Sequence, residues 1–425
     1  MMKRAATLIA LLLLPMLTAE TLTDASGRPV RFAGRFGDAP VTLRDTAAKK
    51  DEFRGIWVAA VENIDFPAHQ DAAAFQRDFA ALADKVSRAG FNAVIFQVRS
   101  NCDAFYPTSL APWSRWLTGK EGVGLEGFDP LAFMIRETHR RGMEFHAWFN
   151  PYRVVGKTKL SKKAYLATLS PTNFARKHPE WVLTKNLPDG NRQLFLDPGV
   201  PQVREHLAAV AEDAARRYPI DAVHFDDYFY PYEKMGTEDA ASYARYNPLR
   251  LSLEEWRRYN TDELIVAVRR AVDRCNRMKR RVRVRFGISP FGIWANRSGN
   301  PAGSLTGGKE SYSVLYADTR KWVRNRYVDY IAPQIYWAFD HETAAYAALV
   351  SWWCSVVRGT GVKLYIGVGA YNGGKWRAGE LVDQVRYNRM QPEVSGAAFF
   401  SFRSFFGSTR SRGTAALLRF FREAR

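Results

Sequence analysis

The sequence predicts an α/β protein built as one (β/α)8 barrel of the TIM type. Three observations predict it. Eight short runs rich in β-branched and aromatic residues alternate with amphipathic helical stretches from about residue 52 onward. No Gly-rich phosphate loop follows the first run, which disfavours a doubly wound sheet. The runs begin apolar and end polar, the asymmetry needed by an enzyme whose site lies at the C-terminal ends of barrel strands.

Residues 1–19, MMKRAATLIALLLLPMLTA, carry two early basic residues, an apolar run and then small residues. This pattern predicts a cleaved export signal, hence a periplasmic or cell-envelope protein. The apolar run is short for a membrane span, and no transmembrane domain is expected. No Cys follows it, so a lipid-anchored form is not expected. Residues 20–50 are polar and aperiodic and read as a tether, leaving 51–425 for the barrel.

The first run is FRGIWVAAV (53–61). In the helix after it, Phe75, Phe79, Leu82 and Val86 share one face, and Gly90 suits the C-terminal cap. FNAVIFQVRS (91–100) is the second run. The next helix starts with Asp129 as N-cap and Pro130 in the first turn, and Gly142 ends it. MEFHAWFNPYR (143–153) is the third run, followed by a Lys-rich excursion and a helix from Val200. IDAVHFDDYFYP (220–231) is the fourth. Helices over about 252–280, 311–326 and 342–357 precede VRVRFGISPFGIW (282–294), VDYIAPQIYW (328–337) and KLYIGVGAY (363–371). A shorter helix precedes SGAAFFSF (395–402), and an amphipathic helix closes the chain.

A hydrophobic share of 47% over 425 residues excludes disorder as the main state. Aromatics at 14% suit both a ring-rich core and a ligand with flat faces, such as a sugar. Lys and Arg outnumber Asp and Glu by 62 to 43, a net charge of +19 that favours an anionic partner. The basic residues are spread along the chain, and no zinc-finger, basic-zipper or ribonucleoprotein motif occurs, so a nucleic-acid partner is not expected. Cys102, Cys275 and Cys354 are widely spaced, without CxxC, and read as buried or incidental thiols.

The strand ends gather the chemistry. The first is followed by Glu62 and Asp65, and the second ends in Gln97, Arg99, Asn101 and Asp103. The third offers His146, Trp148, Asn150 and Arg153, and the fourth His224, Asp226, Asp227 and Tyr228. The sixth offers Gln334, Tyr336 and Trp337; Tyr371, Ser401 and Arg403 lie at the last two. Period-two alternation puts Gln97 with Arg99, His146 with Trp148 and Asn150, His224 with Asp226, and Gln334 with Tyr336. If those faces point inward, one cup holds carboxylate, amide, imidazole and indole, a set suited to sugar hydroxyls and sugar faces. Asp197 and Asp318 read as turn or cap residues. With no HxH at the first strand and no HxxxH helix, neither a metal nor another cofactor is expected.

FRGIWVAAVENIDFP, FQVRSNCDAFYPTSLAPWS, FHAWFNPYRV, FLDPGVPQVREHL, IDAVHFDDYFYPY, FGISPFGIWANRS, YADTRKWV and VDYIAPQIYW occur in this order. They resemble successive blocks of the bacterial glycosyl-hydrolase-like family 10, which includes a division-associated hydrolase of denuded peptidoglycan. The resemblance runs from about Glu52 to about Phe402. It implies a barrel glycosidase that cleaves β-1,4 bonds between N-acetylmuramic acid and N-acetylglucosamine in peptide-free glycan strands, with cell-division or cell-wall proteins as further partners. It places Asp226 and Asp227 in the fourth-strand acidic motif and Asp65 at the acidic position after the first strand.

Glycosidic cleavage needs an acid at the leaving oxygen and a second carboxylate at the anomeric carbon or its water. Asp226 and Asp227 are the expected catalytic residues, with Asp226 as nucleophile or stabiliser. Asp227 is either the acid or an orienter of His224 and Tyr228. Glu62, Asp65 and Asp103 stay open as alternative acids, as does assistance by the substrate's own N-acetyl group. The expected substrate-binding residues are Asp65, Gln97, Arg99, His146, Trp148, Asn150, Arg153, His224, Tyr228, Gln334, Tyr336 and Trp337. Arg99 and Arg153 are the cations expected to favour stripped strands, whose lactyl carboxylates are free.

Overall fold

The computed structural model describes residues 19–278, 283–408 and 410–423. The predicted export signal therefore lies, except for Ala19, outside the described residues. Eight parallel strands close a barrel in sequence order: β1 (Phe53–Val58), β2 (Ala93–Arg99), β3 (Glu144–Phe149), β4 (Ala222–Phe225), β5 (Arg285–Ile288), β6 (Tyr330–Ile331), β7 (Lys363–Gly369) and β8 (Val394–Phe400). β8 pairs with β1, Gly396 opposite Phe53 and Phe399 opposite Ile56, and this seam joins the first and last barrel strands.

The helices that follow the strands are α1 (Ala72–Arg88), α2 (Pro130–His139), α3 (Pro201–Arg217), α4 (Leu253–Arg277), α5 (Thr319–Arg324), α6 (Tyr346–Val357), α7 (Glu380–Met390) and α8 (Arg412–Glu423). Their starts follow from local chemistry. Asp71 accepts a hydrogen bond from the Ala74 amide, Asp129 from that of Ala132, and Ser252 forms a capping box with Glu255. The α1 face of Phe75, Phe79, Leu82 and Val86 is buried against the barrel, as its spacing predicts.

Three strands, β4, β5 and β6, are much shorter than their sequence runs. β5 stops at Ile288 and β6 at Ile331, just before Ser289–Pro290 and Ala332–Pro333. Proline has no N–H for a ladder, so regular pairing ends there. Alignment is kept by single bridges, Gln334 pairing with both Phe291 and Gly367.

The barrel interior is packed by Phe53, Trp57, Ile95, Trp148, Tyr330 and Tyr365 among small residues. Gly287 makes room for one of these rings, since a Cβ there would lie 2.0 Å from Tyr330 Cζ. The Tyr330 hydroxyl sits 2.9 Å from Nδ1 of both His146 and His224. Burial lowers the basicity of both imidazoles, which favours their neutral form in this polar ladder beneath the mouth.

The Lys-rich excursion after β3 is a three-stranded antiparallel sheet of Arg153–Thr158, Arg192–Leu196 and Val182–Asn186, in that order. The segment read as a tether is not one. Glu20–Thr21 pairs with Thr42–Leu43, and Leu22, Val30, Val41 and Leu43 are buried. It is fastened to the barrel by Arg386, which bonds Glu20 and Asp45, and by Lys49, whose ammonium donates to the Gln391 carbonyl. Its apolar residues are isolated between polar and turn residues, so no periodicity announces their burial.

Candidate active site

β4 ends at Phe225, so Asp226 and Asp227 both lie beyond the strand. The strict alternation that would send them to opposite faces no longer applies, and their carboxyls diverge toward different walls of the same mouth. Asp226 turns to β3: its Oδ2 accepts from Trp148 Nε1 and Asn150 Nδ2, each at 3.0 Å, and its Oδ1 from the Tyr228 amide at 3.3 Å. Asp227 turns to the β4–β6 side, where Tyr232 donates its hydroxyl to Oδ2 at 2.5 Å and the Gln334 amide bears on it.

The environments separate two chemically identical groups. Burial is the largest influence on each and pushes both carboxyls up. For Asp226 it is opposed by Arg153, by the indole of Trp148, by the Tyr228 amide and by Asn150, all of which favour the ionised form. For Asp227 the charge of Asp226 adds to burial, and the carboxyl is pushed up to about 7 despite the Tyr232 hydroxyl. The surroundings thus favour the ionised form more at Asp226 and the protonated form more at Asp227, the direction of the division of labour that glycoside cleavage requires.

Of the residues expected to bind substrate, Trp148, Asn150, Tyr228, Gln334 and Tyr336 gather around the aspartates. Trp148 and Asn150 act as supports, each using its N–H on Asp226. Gln334 donates to the Ser289 carbonyl at 2.9 Å. Tyr336 is half-buried beside both aspartates, and its ring lies 5.9 Å from that of Tyr371 and 6.2 Å from that of Phe400. Trp337 stands further out on the rim, edge-on to Phe291 at 5.7 Å.

The other expected residues do not present a free side chain to the cup. His146 and His224 are fully buried, bonded to Glu144 Oε2 and to Ser289 Oγ besides Tyr330. Gln97 accepts from the Val61 amide at 3.0 Å and is also fully buried. Asp65 has both oxygens engaged by the chain: Oδ2 by the Ala59 amide at 2.8 Å, Oδ1 by Ser401 Oγ at 2.8 Å and the Arg403 amide at 2.7 Å. Arg99 departs most from expectation. A bulge makes Arg99, not Val98, the partner of Phe149, so its side chain leaves the face of Gln97 and is buried near Cys102, Tyr106 and His206. Arg153 is buried too, with its Nε donating to the Ser100 carbonyl at 3.1 Å and its guanidinium 4.9 Å over the Tyr228 ring.

Among the alternative acids, Asp103 is occupied by the amides of Ser100 and Asn101 and by Ser114 Oγ, and Glu62 is exposed on the loop after β1. Asp197 forms a turn with the Gly199 amide and Asp318 caps α5, as read from sequence. Among the described residues no three His, Cys, Asp or Glu side chains converge in a group that could hold a metal ion. Nor is any described helix long and apolar enough to cross a membrane. Sequence reasoning missed Tyr232. The available signal was the turn-forming Pro231 before it in DDYFYPY, which folds the chain back onto Asp227.

Residues 52–378 match the family described as glycosyl hydrolase-like 10. The chain belongs to that family. Two curated relatives of this glycosyl hydrolase-like 10 protein are glycosyl hydrolase YngK of Bacillus subtilis, 42% identical over 85% of this chain and 70% of its own, and glycosyl hydrolase DigH of Escherichia coli K12, 38% identical over 94% and 92%. Among solved structures, the glycoside hydrolase domain of PgaB from Bordetella bronchiseptica superposes with a TM-score of 0.51 at 15% identity, covering 86% of this chain and 98% of that one. That likeness is one of fold. The barrel strands of this glycosyl hydrolase-like 10 chain carry the aspartate pair to the end where barrel enzymes place their sites.

Proposed function

We propose that this glycoside hydrolase cleaves the β-1,4 bond between N-acetylmuramic acid and N-acetylglucosamine in peptide-free peptidoglycan strands, and that it does so as an exported protein of the cell envelope. The observation that carries the reading is the divergent pair of carboxyls. Asp227, protonated up to about pH 7, gives its proton to the leaving glycosidic oxygen. Asp226, ionised and braced by Trp148 and Asn150, stabilises positive charge as it develops at the anomeric carbon. Asp227 then takes a proton from the incoming water and is restored. Tyr228 and Tyr336 supply ring faces for the apolar side of a sugar.

The relatives named as glycosyl hydrolases support the reaction class, and the excess of basic residues supports an anionic glycan. The test is mass spectrometry of products from purified glycan strands with and without stem peptides. Cleavage of the peptide-free strands at muramic acid–glucosamine bonds, with little from intact strands, is the expected result. Ligand retention without products would instead mean a glycan-binding protein that has lost catalysis.

A further inference from the structure

Beside the aspartates, toward the β7–β8–β1 side of the mouth, lies a second hollow of about 290 Å³, roughly the low end of small-ligand sites. Tyr371, Phe400, Arg403, Ser404, Ser411 and Ile64 line it. It is one ring removed from the reaction centre, because Tyr371 and Phe400 both pack on Tyr336. Tyr371 is 52% exposed, although a large ring at a barrel mouth gains by being covered. Arg403 is exposed on the short helix Phe402–Phe406, and its guanidinium makes no ion pair or hydrogen bond among the described residues. The carboxylate that influences it, Asp65, is buried and already bonded to two amides and a hydroxyl. Asp65 fixes Arg403 through its backbone and leaves the guanidinium unused.

We infer that this hollow is a subsite for a carboxylate-bearing pyranose, in which Tyr371 covers the apolar ring face and Arg403 pairs with the carboxylate. The inference rests on the muramyl-glycan reading, and it assigns the carboxylate to the lactyl group of muramic acid. In a stripped strand that group is an anion matching a guanidinium fork; in a peptide-bearing strand it is a neutral, bulky amide. Arg403 is therefore the residue that favours denuded glycan, a role for which Arg99 and Arg153 are too deeply buried.

The test is binding, measured by calorimetry in the Asp226→Asn background so that ligand is not consumed. The probes are a peptide-free muramic acid–glucosamine tetrasaccharide, the same compound with its lactyl carboxylates methyl-esterified, and a hexuronate oligomer. The free acid should bind about 10-fold or more tightly than the ester. Arg403→Gln should remove that difference, and Arg403→Lys should restore part of it. The gap should shrink as salt rises. Equal binding of acid and ester, an unchanged gap in Arg403→Gln, or tighter binding of the hexuronate would overturn the assignment. Hydrolysis by the unmodified protein is scored separately: failure to cleave any muramyl glycan sinks the functional reading, while a carboxylate preference lost with Arg403 still upholds the subsite. Melting temperature controls for folding, which the exposed guanidinium does not support.

Discussion

Asp227→Asn keeps the shape of the side chain and removes its proton. In the folded protein the carboxyl is pushed up to about 7 from an ordinary 3.8, a difference worth up to about 4 kcal/mol. A carboxyl raised on folding holds its proton more tightly in the folded state than in the unfolded chain. Its contribution is fully present below about pH 4 and is lost as pH rises toward and through about 7. Roughly 2–3 kcal/mol of that loss falls between pH 5 and pH 8. Asparagine does not titrate, and its Oδ1 can still accept from Tyr232. The variant should therefore gain on the parent as pH rises, by ~1 °C per kcal/mol for a chain of this length, or about 2–3 °C between pH 5 and pH 8. Turnover of glycan strands should fall by about 10²–10⁴-fold, because the leaving oxygen goes unprotonated. An aryl glycoside, whose leaving group needs little protonation, should be hydrolysed with a much smaller loss. Melting curves at several pH values and paired kinetics on the two substrates check both. A melting-temperature difference that is flat from pH 5 to 8, or equal losses on both leaving groups, would refute the assignment of Asp227 as the acid.

Asp226→Asn should lower kcat by about 10²-fold or more with little change in melting temperature, since it removes the charge that stabilises the transition state. It should also move the alkaline limb of the pH–rate profile of any residual activity downward, because the charge of Asp226 helps raise Asp227. Tyr232→Phe removes a donor that favours the ionised form of Asp227, so the alkaline limb should move upward with only modest loss of rate; an unmoved limb would contradict the pairing. Arg257→Ala should cost ~3–5 kcal/mol in urea unfolding, because it strands buried Asp239, which now receives two guanidinium bonds of 2.6 and 2.8 Å.

Much of this was legible in the chain, for reasons that can be named. The barrel shows because each strand must bury one element of a closed repeat, and Asp129, Pro130 and Gly142 bracket a helix as their backbone preferences require. The lengths of β5 and β6 were misread because a β-rich composition continues through Pro290 and Pro333, while ladder pairing does not. At Gln97 and Arg99 the period-two rule fails at a bulge, which no local composition reveals. Asp226 and Asp227 stood out as a pair, but their difference is tertiary: it depends on Trp148 and Asn150 arriving from β3 and on Tyr232 returning from a turn. Arg403 could be seen at a strand end, yet only the burial of Asp65, Arg99 and Arg153 shows that, of the three arginines read there, it is the accessible one.

The seam between β8 and β1 and the clasp of residues 20–43 onto α7 have a consequence for the order of assembly. A ribosome delivers the clasp and β1 early, but two of their partners, Glu380–Met390 and Val394–Phe400, come late. Until then the clasp lacks its contacts with α7, and β1 offers an unpaired edge. Closing contacts across more than three hundred residues makes folding slow and leaves the nascent chain exposed to mispairing. Chains truncated before β8 should therefore be held open and aggregation-prone, whereas a chain that includes β8 closes the clasp and the seam together.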